Sequence, residues 1–228
     1  MTGSPFGVML FAAGFGTRMG ALTKDRPKPL INVSGRPLID HALDLVYELD
    51  PVRIVANVHY HADQLYAHLN PKGVLISREE PEILETGGGL RAALPLLGTD
   101  PVFTLNTDAI WSGPNPLTLL QKAWDPTRMD ALLMCVPIAQ ATGHTGDGDF
   151  SADADGRITR GPGLVYGGAQ IIKTDGLQAF PQSAFSLNLL WNQMHDQNRL
   201  FAIEYPGRWC DVGRPEGIAL AEGLLTDV

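Results

Sequence analysis

A glycine-rich turn, followed closely by an arginine and a lysine, is the first part of this sequence that could do chemistry. Gly14 and Gly16 permit backbone conformations that point several N–H groups into one concavity, an arrangement suited to phosphate oxygens. Arg18 adds a planar fork of donors. Lys28 stands between two prolines that restrict its backbone. We expect Arg18 to hold a polyphosphate and Lys28 to stabilise charge on a phosphoryl group during its transfer.

Two aspartates could hold the metal ion that such chemistry commonly uses. Asp108 closely follows the apolar run at residues 102–105, and the carboxyl ends of parallel strands are where open α/β sheets place ligands. Asp211 lies in the segment Trp-Cys-Asp-Val-Gly at residues 209–213. Magnesium favours carboxylate and phosphate oxygens and often takes only one or two protein ligands. From spacing alone, each aspartate could equally be a helix cap or a turn residue.

Two familiar phosphate-binding loops do not fit the turn. A dinucleotide-binding fingerprint requires glycine where Met19 stands and an acidic residue where Asn57 stands. A P-loop requires Gly-Lys-Ser/Thr after its spacer residues, and that sequence is absent here. The remaining alternative without a ligand is a plain connection from a strand to a helix.

Short apolar runs alternate with amphipathic stretches over the first two-thirds of the chain. This pattern predicts strands at residues 8–12, 53–57, 74–77, 102–106, 131–137, 165–172 and 200–204. It predicts helices at residues 37–49, 61–69, 88–97, 116–124, 187–198 and 215–225, the third capped by Thr86. Such alternation implies one α/β domain with a mostly parallel sheet covered on both faces. After Gly143 the pattern changes, and residues 153–156 predict a hairpin turn in a small antiparallel subregion.

Composition excludes some classes of partner. The 228 residues carry a formal net charge of -8, which argues against a nucleic-acid partner, because binding one requires a cationic surface. We find no apolar run long enough to cross a membrane and no signal peptide, so we expect no membrane partner and a cytoplasmic location. Cys135 and Cys210 are expected to be reduced, partly buried thiols. The four tryptophans show no stripe pattern and are expected to be packing residues.

The glycine turn and the lysine segment together resemble the sugar-1-phosphate nucleotidylyltransferase family. That family's signature is Gly-x-Gly-(Thr/x)-Arg-(Met/Leu) followed by Pro-Lys-Pro-Leu, found here at residues 14–19 and 27–30. The resemblance extends over most of the chain. It implies a three-layer α/β/α, Rossmann-like sheet of the GT-A-like type, and it implies that Asp108 and Asp211 bind Mg²⁺. Thr107 replaces the usual glycine before the first aspartate, which could crowd the nucleotide sugar without removing a ligand.

The resemblance also implies which residues bind the two substrates. A glycine-rich stretch at residues 85–89 would let a flat base approach the backbone, although it could also be only a glycine-rich helix start. The implied nucleotide-binding residues are Ala12, Ala13, Gly14, Gly16, Thr17, Glu85, Thr86, Gly87, Gly88 and Asn106. The implied sugar-binding residues are Tyr166, Gly168 and Asn188, although glycines in a strand can also serve packing. The nucleotide part would be about residues 1–137 and 200–228, and the sugar part about 138–199.

The form Leu-Glu-Thr-Gly-Gly-Gly at residues 84–89 is similar to short N-acetylmuramate-1-phosphate uridylyltransferases of peptidoglycan recycling. This implies UTP and a sugar 1-phosphate as partners, in a monomer or small homo-oligomer. Mannose-1-phosphate guanylyltransferases, glucose-1-phosphate thymidylyltransferases and choline-phosphate cytidylyltransferases remain alternatives. From other classes, a non-catalytic nucleotide-sugar sensor and a hydride-transfer enzyme also remain.

The acceptor side departs from the family pattern. Many relatives carry Glu-Lys-Pro after the hairpin where this chain reads Arg-Gly-Pro at residues 160–162. The uridylyltransferases carry a lysine where Ser186 stands. The usual lysine for the acceptor phosphate is therefore missing, and Arg157, Arg160 and Asn188 are candidate substitutes.

Overall fold

The structure is a computed structural model that describes residues 4–226. Its strands are β1 (Ser4–Phe11), β2 (Asn32–Val33), β3 (Arg36–Pro37), β4 (Pro51–Val58), β5 (Leu75–Arg78), β6 (Val102–Asn106), β7 (Ala109–Ser112), β8 (Ala131–Pro137), β9 (Ala141–Thr142), β10 (Phe150–Ala152), β11 (Ile158–Arg160), β12 (Leu164–Ile172), β13 (Leu200–Glu204) and β14 (Arg208–Asp211). Its α-helices are α1 (Leu38–Leu49), α2 (Ala62–Leu69), α3 (Glu85–Leu97), α4 (Pro116–Ala123), α5 (Asn188–Asp196) and α6 (Glu216–Thr226). Short 3-10 helices lie at Thr17–Thr23, Lys28–Leu30, Asn70–Lys72, Ile138–Gln140 and Asp175–Ala179.

The central sheet has the strand order β5-β4-β1-β6-β12-β8-β13. Strand β12 runs antiparallel to both of its neighbours, while the other adjacent pairs are parallel. The β10–β11 hairpin joins this sheet at the start of β12. The predicted mostly parallel sheet and its antiparallel subregion are therefore confirmed, and Gly156 (φ 83°) lies in the predicted hairpin turn.

Helices cover both faces of the sheet, as the alternation of side chains along β1 shows. Val8 and Leu10 pack in an apolar cluster with residues of α1, α2 and α4. Met9, which points to the opposite face, packs in a second cluster with residues of α3 and α5. A strand that is apolar on both faces needs two covering layers, and the three-layer prediction is confirmed.

A small second sheet, β7-β14-β9, lies beside the first and was not predicted. Strand β14 is antiparallel to β7 and parallel to β9. A third apolar cluster joins Met19 of the glycine-turn segment to Cys210 and Val212 and to residues of α6. The third cluster therefore fixes the glycine-turn segment against the C-terminal part of the described chain.

The prediction that Thr86 caps α3 is wrong. The helix begins at Glu85, and no side chain caps it. The Thr86 hydroxyl instead accepts a hydrogen bond from the Leu187 N–H (2.9 Å), which ties α3 to the segment before α5. A side-chain cap does occur at α4, where the Asn115 Oδ1 accepts hydrogen bonds from the N–H groups of Leu117 and Thr118.

Two smaller expectations concern thiols and membranes. Cys135 and Cys210 are both free and buried. Burial raises the pKa of both thiols, that of Cys210 to about 11, which leaves them protonated at neutral pH.

Over residues 4–226 no helix combines the length and the apolar character needed to cross a membrane.

Candidate active site

The glycine turn and the lysine segment form one packed unit. Gly16 has a left-handed backbone (φ 64°, ψ 28°), and its carbonyl accepts hydrogen bonds from the Met19 N–H (2.9 Å) and the Thr23 hydroxyl (3.1 Å). A Cβ atom at this position would lie 2.9 Å from the Cβ of Lys28. Glycine is therefore required here both by the backbone conformation and by the close approach of the lysine.

Lys28 is fixed at the floor of the cleft. Its side chain is only 10% exposed, and its Nζ donates a hydrogen bond of 2.6 Å to the Asp108 Oδ2. A buried ammonium group is tolerated only with such a partner, because leaving it unpaired would cost several kcal/mol, on the order given for buried charges. The pair places one cation and one carboxylate at the same point of the site.

The pairing of β14 with β7 brings the two predicted metal-binding aspartates together. In this pair Asp211 lies opposite Ala109, and the Val212 N–H donates to the Asp108 carbonyl (2.9 Å). Burial raises the pKa of Asp211, and the negative charge of Asp108 raises it further, while Lys28 and other nearby cations lower it. The charge of Asp108 therefore acts directly on the Asp211 carboxyl group.

The chemistry of this donor set fits a magnesium ion. Asp108 and Asp211 offer carboxylate oxygens whose mutual repulsion a divalent cation would offset. Among residues 4–226 no group of three or more histidine, cysteine, aspartate or glutamate side chains could hold a metal by itself. A magnesium ion here would need phosphate or water oxygens to complete its shell, as is usual for magnesium bound with a phosphate substrate.

A cleft of about 310 Å³ opens over this pair, within the size range of small-molecule sites. Most of the predicted nucleotide-binding and catalytic residues line it: Ala12, Ala13, Gly14, Gly16, Thr17, Arg18, Lys28, Glu85, Thr86, Asn106 and Asp108. The cleft is also lined by residues that were not predicted to bind the nucleotide: Phe11, Pro29, Asn57, Glu79, Ile83, Thr107 and Gly213.

Gly87 and Gly88 are not among the residues that line the cleft, and the approach of a base to their backbone stays a prediction. Both N–H groups donate to the Phe185 carbonyl, at 2.9 and 3.2 Å. Added Cβ atoms would collide with Phe185 and Ser183. The glycines therefore allow the chain around Phe185 to pack directly on α3. Glu85, in the left-handed region (φ 59°), and Thr86 line the cleft instead.

A buried polar network that the sequence interpretation missed supports the back of the cleft. The Asn57 Oδ1 accepts from the Ala12 N–H (2.8 Å), and its Nδ2 donates to the Glu79 Oε1 (2.7 Å). The other carboxylate oxygen of the fully buried Glu79 accepts from the Leu84 N–H (2.7 Å). Asn57 thus connects the start of the glycine turn to the segment before α3. The available signal was a polar residue near the end of an apolar strand.

Thr107, the departure from the family pattern, is turned away from open space. It is 3% exposed, and its hydroxyl donates to the Phe11 carbonyl (2.8 Å). This bond links the end of β6 to the end of β1, so the threonine holds its side chain against the sheet beside Asp108.

A second pocket of about 330 Å³ adjoins the first cleft. Phe11, Thr86 and Asn106 line both, so the two form one continuous site. The second pocket is also lined by Asp149, Phe150, Arg160, Tyr166, Gln170, Ser186, Leu187, Asn188 and Trp191. Of these, Tyr166 and Asn188 were predicted to bind the sugar, and Arg160 was a candidate for the acceptor phosphate.

Gly168 lies behind this pocket and does not line it. Its backbone has a φ of 93° at a register shift of β12, and an added Cβ would lie 2.8 Å from the Asn106 Cβ. The structure gives Gly168 a packing role, while the direct contact of its backbone with the sugar stays a prediction. Without a side chain at this position, β12 can approach Asn106, which faces both cavities.

The two candidate arginines differ in position. Arg160 lines the second pocket, where its Nη2 donates to the Asn188 Oδ1 (2.8 Å). Arg157 pairs with Asp155 (2.9 Å) and does not line any cavity of the site. Trp191, expected only to pack, also lines the second pocket and donates through Nε1 to the Gln170 Oε1 (2.9 Å).

Comparison with known proteins identifies the family. The model of the MobA-like NTP transferase domain matches residues 8–144, and the chain belongs to this family. The chain is 39% identical to N-acetylmuramate alpha-1-phosphate uridylyltransferase of Caulobacter vibrioides, with all of both chains aligned. It is 33% identical to the enzyme of the same name from Neisseria meningitidis, over 90% of this chain and 92% of the other.

Solved structures share the fold at low sequence identity. A putative glucose-1-phosphate thymidylyltransferase from Bacillus anthracis superposes with a TM-score of 0.79 at 18% identity, covering 99% of this chain and 96% of the other. HddC from Yersinia pseudotuberculosis, complexed with GMP-PN, superposes with a TM-score of 0.76 at 20% identity, covering 96% and 99%. These likenesses show the GT-A-like nucleotidyltransferase fold.

Proposed function

We propose that the protein transfers a uridylyl group from UTP to N-acetylmuramate 1-phosphate and releases pyrophosphate. The observation that carries this proposal is the continuous site made of two adjoining cavities that share Phe11, Thr86 and Asn106. The first has the phosphate loop and the Lys28–Asp108 pair, and the second is large enough for a sugar. The names of the two uridylyltransferase relatives supply the choice of base and sugar.

The reaction is a single displacement. An oxygen of the sugar phosphate attacks the α-phosphorus of UTP, a new P–O bond forms, and the bond to the leaving pyrophosphate breaks in line. Such a transfer depends on positioning and charge stabilisation more than on proton transfer. Four charged residues, Arg18, Lys28, Asp108 and Asp211, supply these effects, and no general base is required at the attacking phosphate oxygen.

Each side chain at the first cavity has a proposed role. Arg18 holds the β- and γ-phosphates and the leaving pyrophosphate, because its fork of donors is solvent-exposed at the mouth of the cleft. Lys28 stabilises the α-phosphate and the attacking oxygen. Asp108 and Asp211 would hold Mg²⁺, which offsets the charge of the phosphate oxygens when bound.

The remaining contacts orient the nucleotide. Backbone N–H groups of the turn at Gly14 and Gly16 face the phosphates, and Glu85 and Thr86 lie where the base would enter. Asn106 contacts both substrates, since it lines both cavities. Residues 1–137 and 200–228 would form the nucleotide part and residues 138–199 the sugar part, with Tyr166 and Asn188 at the sugar.

The deciding experiment crosses nucleoside triphosphates with sugar 1-phosphates while pyrophosphate release is measured. We expect the highest kcat/KM for UTP with N-acetylmuramate 1-phosphate, and no release when magnesium is chelated. Preference for GTP with mannose 1-phosphate, or for dTTP with glucose 1-phosphate, would reject the proposed substrates. Binding of UTP without pyrophosphate release with any acceptor would indicate a nucleotide sensor instead.

A further inference from the structure

Arg160 is held at the wall of the second pocket by contacts on two sides. Its guanidinium lies over the ring of Phe150 (4.6 Å to the centroid) and near that of Trp191 (5.7 Å). Its Nη2 donates to the Asn188 Oδ1 (2.8 Å). The aromatic rings fix the plane of the guanidinium, and the single bond to Asn188 leaves its other N–H donors available for a ligand.

The charge of this guanidinium is not neutralised by the protein. No ion pair to Arg160 occurs within residues 4–226, and its hydrogen-bond partner Asn188 is a neutral amide. The carboxylate that also lines the pocket, Asp149, accepts a hydrogen bond from the Tyr166 N–H (2.8 Å). The second pocket therefore presents a guanidinium without an ion-pair partner, whose donors suit bidentate binding, while the Asp149 carboxylate is engaged with the backbone.

The position of Arg160 separates it from the transfer reaction. Neither Arg160 nor the three residues that hold it, Phe150, Trp191 and Asn188, line the first cleft. Arg160 and Phe150 also line a further cavity together with Leu200. The acceptor phosphate must meet the α-phosphorus beside Lys28 and Asp108, so the anion that Arg160 meets is a different one.

N-acetylmuramate carries such a second anion. Its 3-O-lactyl ether bears a carboxylate, which distinguishes it from N-acetylglucosamine. We propose that Arg160 is a specificity-determining residue that binds the lactyl carboxylate of the acceptor, held for this task by Asn188, Phe150 and Trp191. This inference rests on the proposed function. It also explains why a planar guanidinium, rather than a lysine, occupies this wall, because arginine matches a carboxylate with two parallel hydrogen bonds.

The test compares two acceptors that differ in the lactyl group. Arg160→Gln is assayed with UTP and either N-acetylmuramate 1-phosphate or N-acetylglucosamine 1-phosphate. We expect kcat/KM for the muramate to fall about ten- to a hundredfold, as for loss of a charged hydrogen bond, mostly through KM. The value for the glucosamine should not change. If the glucosamine turns over too slowly, its inhibition constant serves as the readout.

Arg157→Gln is the matched control, because Arg157 lies in the same hairpin but pairs with Asp155 and lies over Phe201. It should leave both acceptors unchanged. Equal losses for both acceptors in Arg160→Gln, or retention of the muramate preference, would overturn the inference. A wild-type protein without preference for the muramate would reject the proposed function, and the inference with it. Retained preference in the variant rejects the inference alone.

Discussion

Lys28 and Asp108 form an ion pair of 2.6 Å although 80 residues separate them in the sequence. The lysine comes from the segment packed on the glycine turn, and the aspartate from the chain just after β6. In the protein without substrate each side chain partly neutralises the other. Under the proposed function, a triphosphate would compete with Asp108 for Lys28, and its cation would compete with Lys28 for Asp108.

Lys28→Met should lower kcat by about a hundredfold or more, the range seen for loss of one preorganised charge-stabilising donor. The expected reason is that the lysine acts mainly on the charge of the α-phosphate in the transition state. Pyrophosphate release at saturating substrates measures the effect. Lys24→Met is the control, because Lys24 is exposed and does not line the cleft. Equal turnover in the two variants would contradict the role of Lys28.

Asp108→Asn should reduce magnesium-dependent turnover by about two to three orders of magnitude, corresponding to several kcal/mol of lost charge stabilisation. The substitution keeps the size of the side chain and removes its charge. Steady-state rates over a magnesium titration measure this. Asp44→Asn provides the comparison, since Asp44 forms an exposed surface pair with Arg36 (2.9 Å) away from the cleft. A normal magnesium response in Asp108→Asn would rule out its role as a ligand.

Gly16→Ala should damage both stability and activity. A left-handed backbone costs an alanine about 1–2 kcal/mol, and the new Cβ would also push on Thr23 and Lys28. Gly73 has a similar backbone (φ 76°, ψ 17°), but a Cβ there would have no neighbour within 4 Å. Gly73→Ala should therefore lose stability only, as urea unfolding and pyrophosphate release together will show. Full activity in Gly16→Ala would mean that the turn does not position the lysine.

Asp211 should make the stability of the folded protein depend on pH. The direction follows from its raised pKa, which is caused by burial and by the charge of Asp108. The folded state then holds a proton on Asp211 at pH values where the unfolded chain has lost it. Stability consequently falls as pH rises from 3.8 through the folded-state pKa. In protein stripped of metal with a chelator, Asp211→Asn should raise the thermal midpoint at pH 7. That gain should disappear below pH 3.8.

Asp130 should affect the pH dependence of stability in the opposite direction, and it serves as the comparison. Burial raises its pKa, but hydrogen bonds from Lys173 and Arg199 outweigh burial and hold the pKa below its usual value. Asp130→Asn should therefore lower the thermal midpoint at pH 7, with the difference fading as the pH falls through the lowered pKa. A shift of the same sign in both variants would contradict the electrostatic explanation for Asp211.

The sheet could be predicted because its strands are apolar on both faces and the helices have clear periodicity. The packing of the glycine turn against the Lys28 segment could also be anticipated, since the two lie close together in the sequence. By contrast, β7 and β14 have four residues each, too few for a recognisable alternation of apolar and polar residues. The meeting of Asp108 and Asp211 depends on the register between those two strands, which is set by tertiary packing.

The glycines illustrate a second limit of sequence interpretation. Glycine at residues 87–89 and at Gly168 is compatible both with a ligand and with a neighbouring segment, and the sequence does not show which segments pack against these positions. Similarly, Asn57 and Glu79 have no recognisable spacing, because their bond joins the ends of two adjacent parallel strands. Contacts of this kind become visible only when the strand order is known.

The pairing of β14 with β7 also means that the site can be completed only late in translation. The ribosome delivers the turn with Arg18 and Lys28 early and Asp108 midway, whereas Asp211 follows only after β13 has been made. A chain that stops before β14 lacks the second carboxylate and the contacts that fasten Met19 to α6. Under the proposed function, a polypeptide that ends before β14 should therefore be inactive, because it lacks one of the two proposed magnesium ligands.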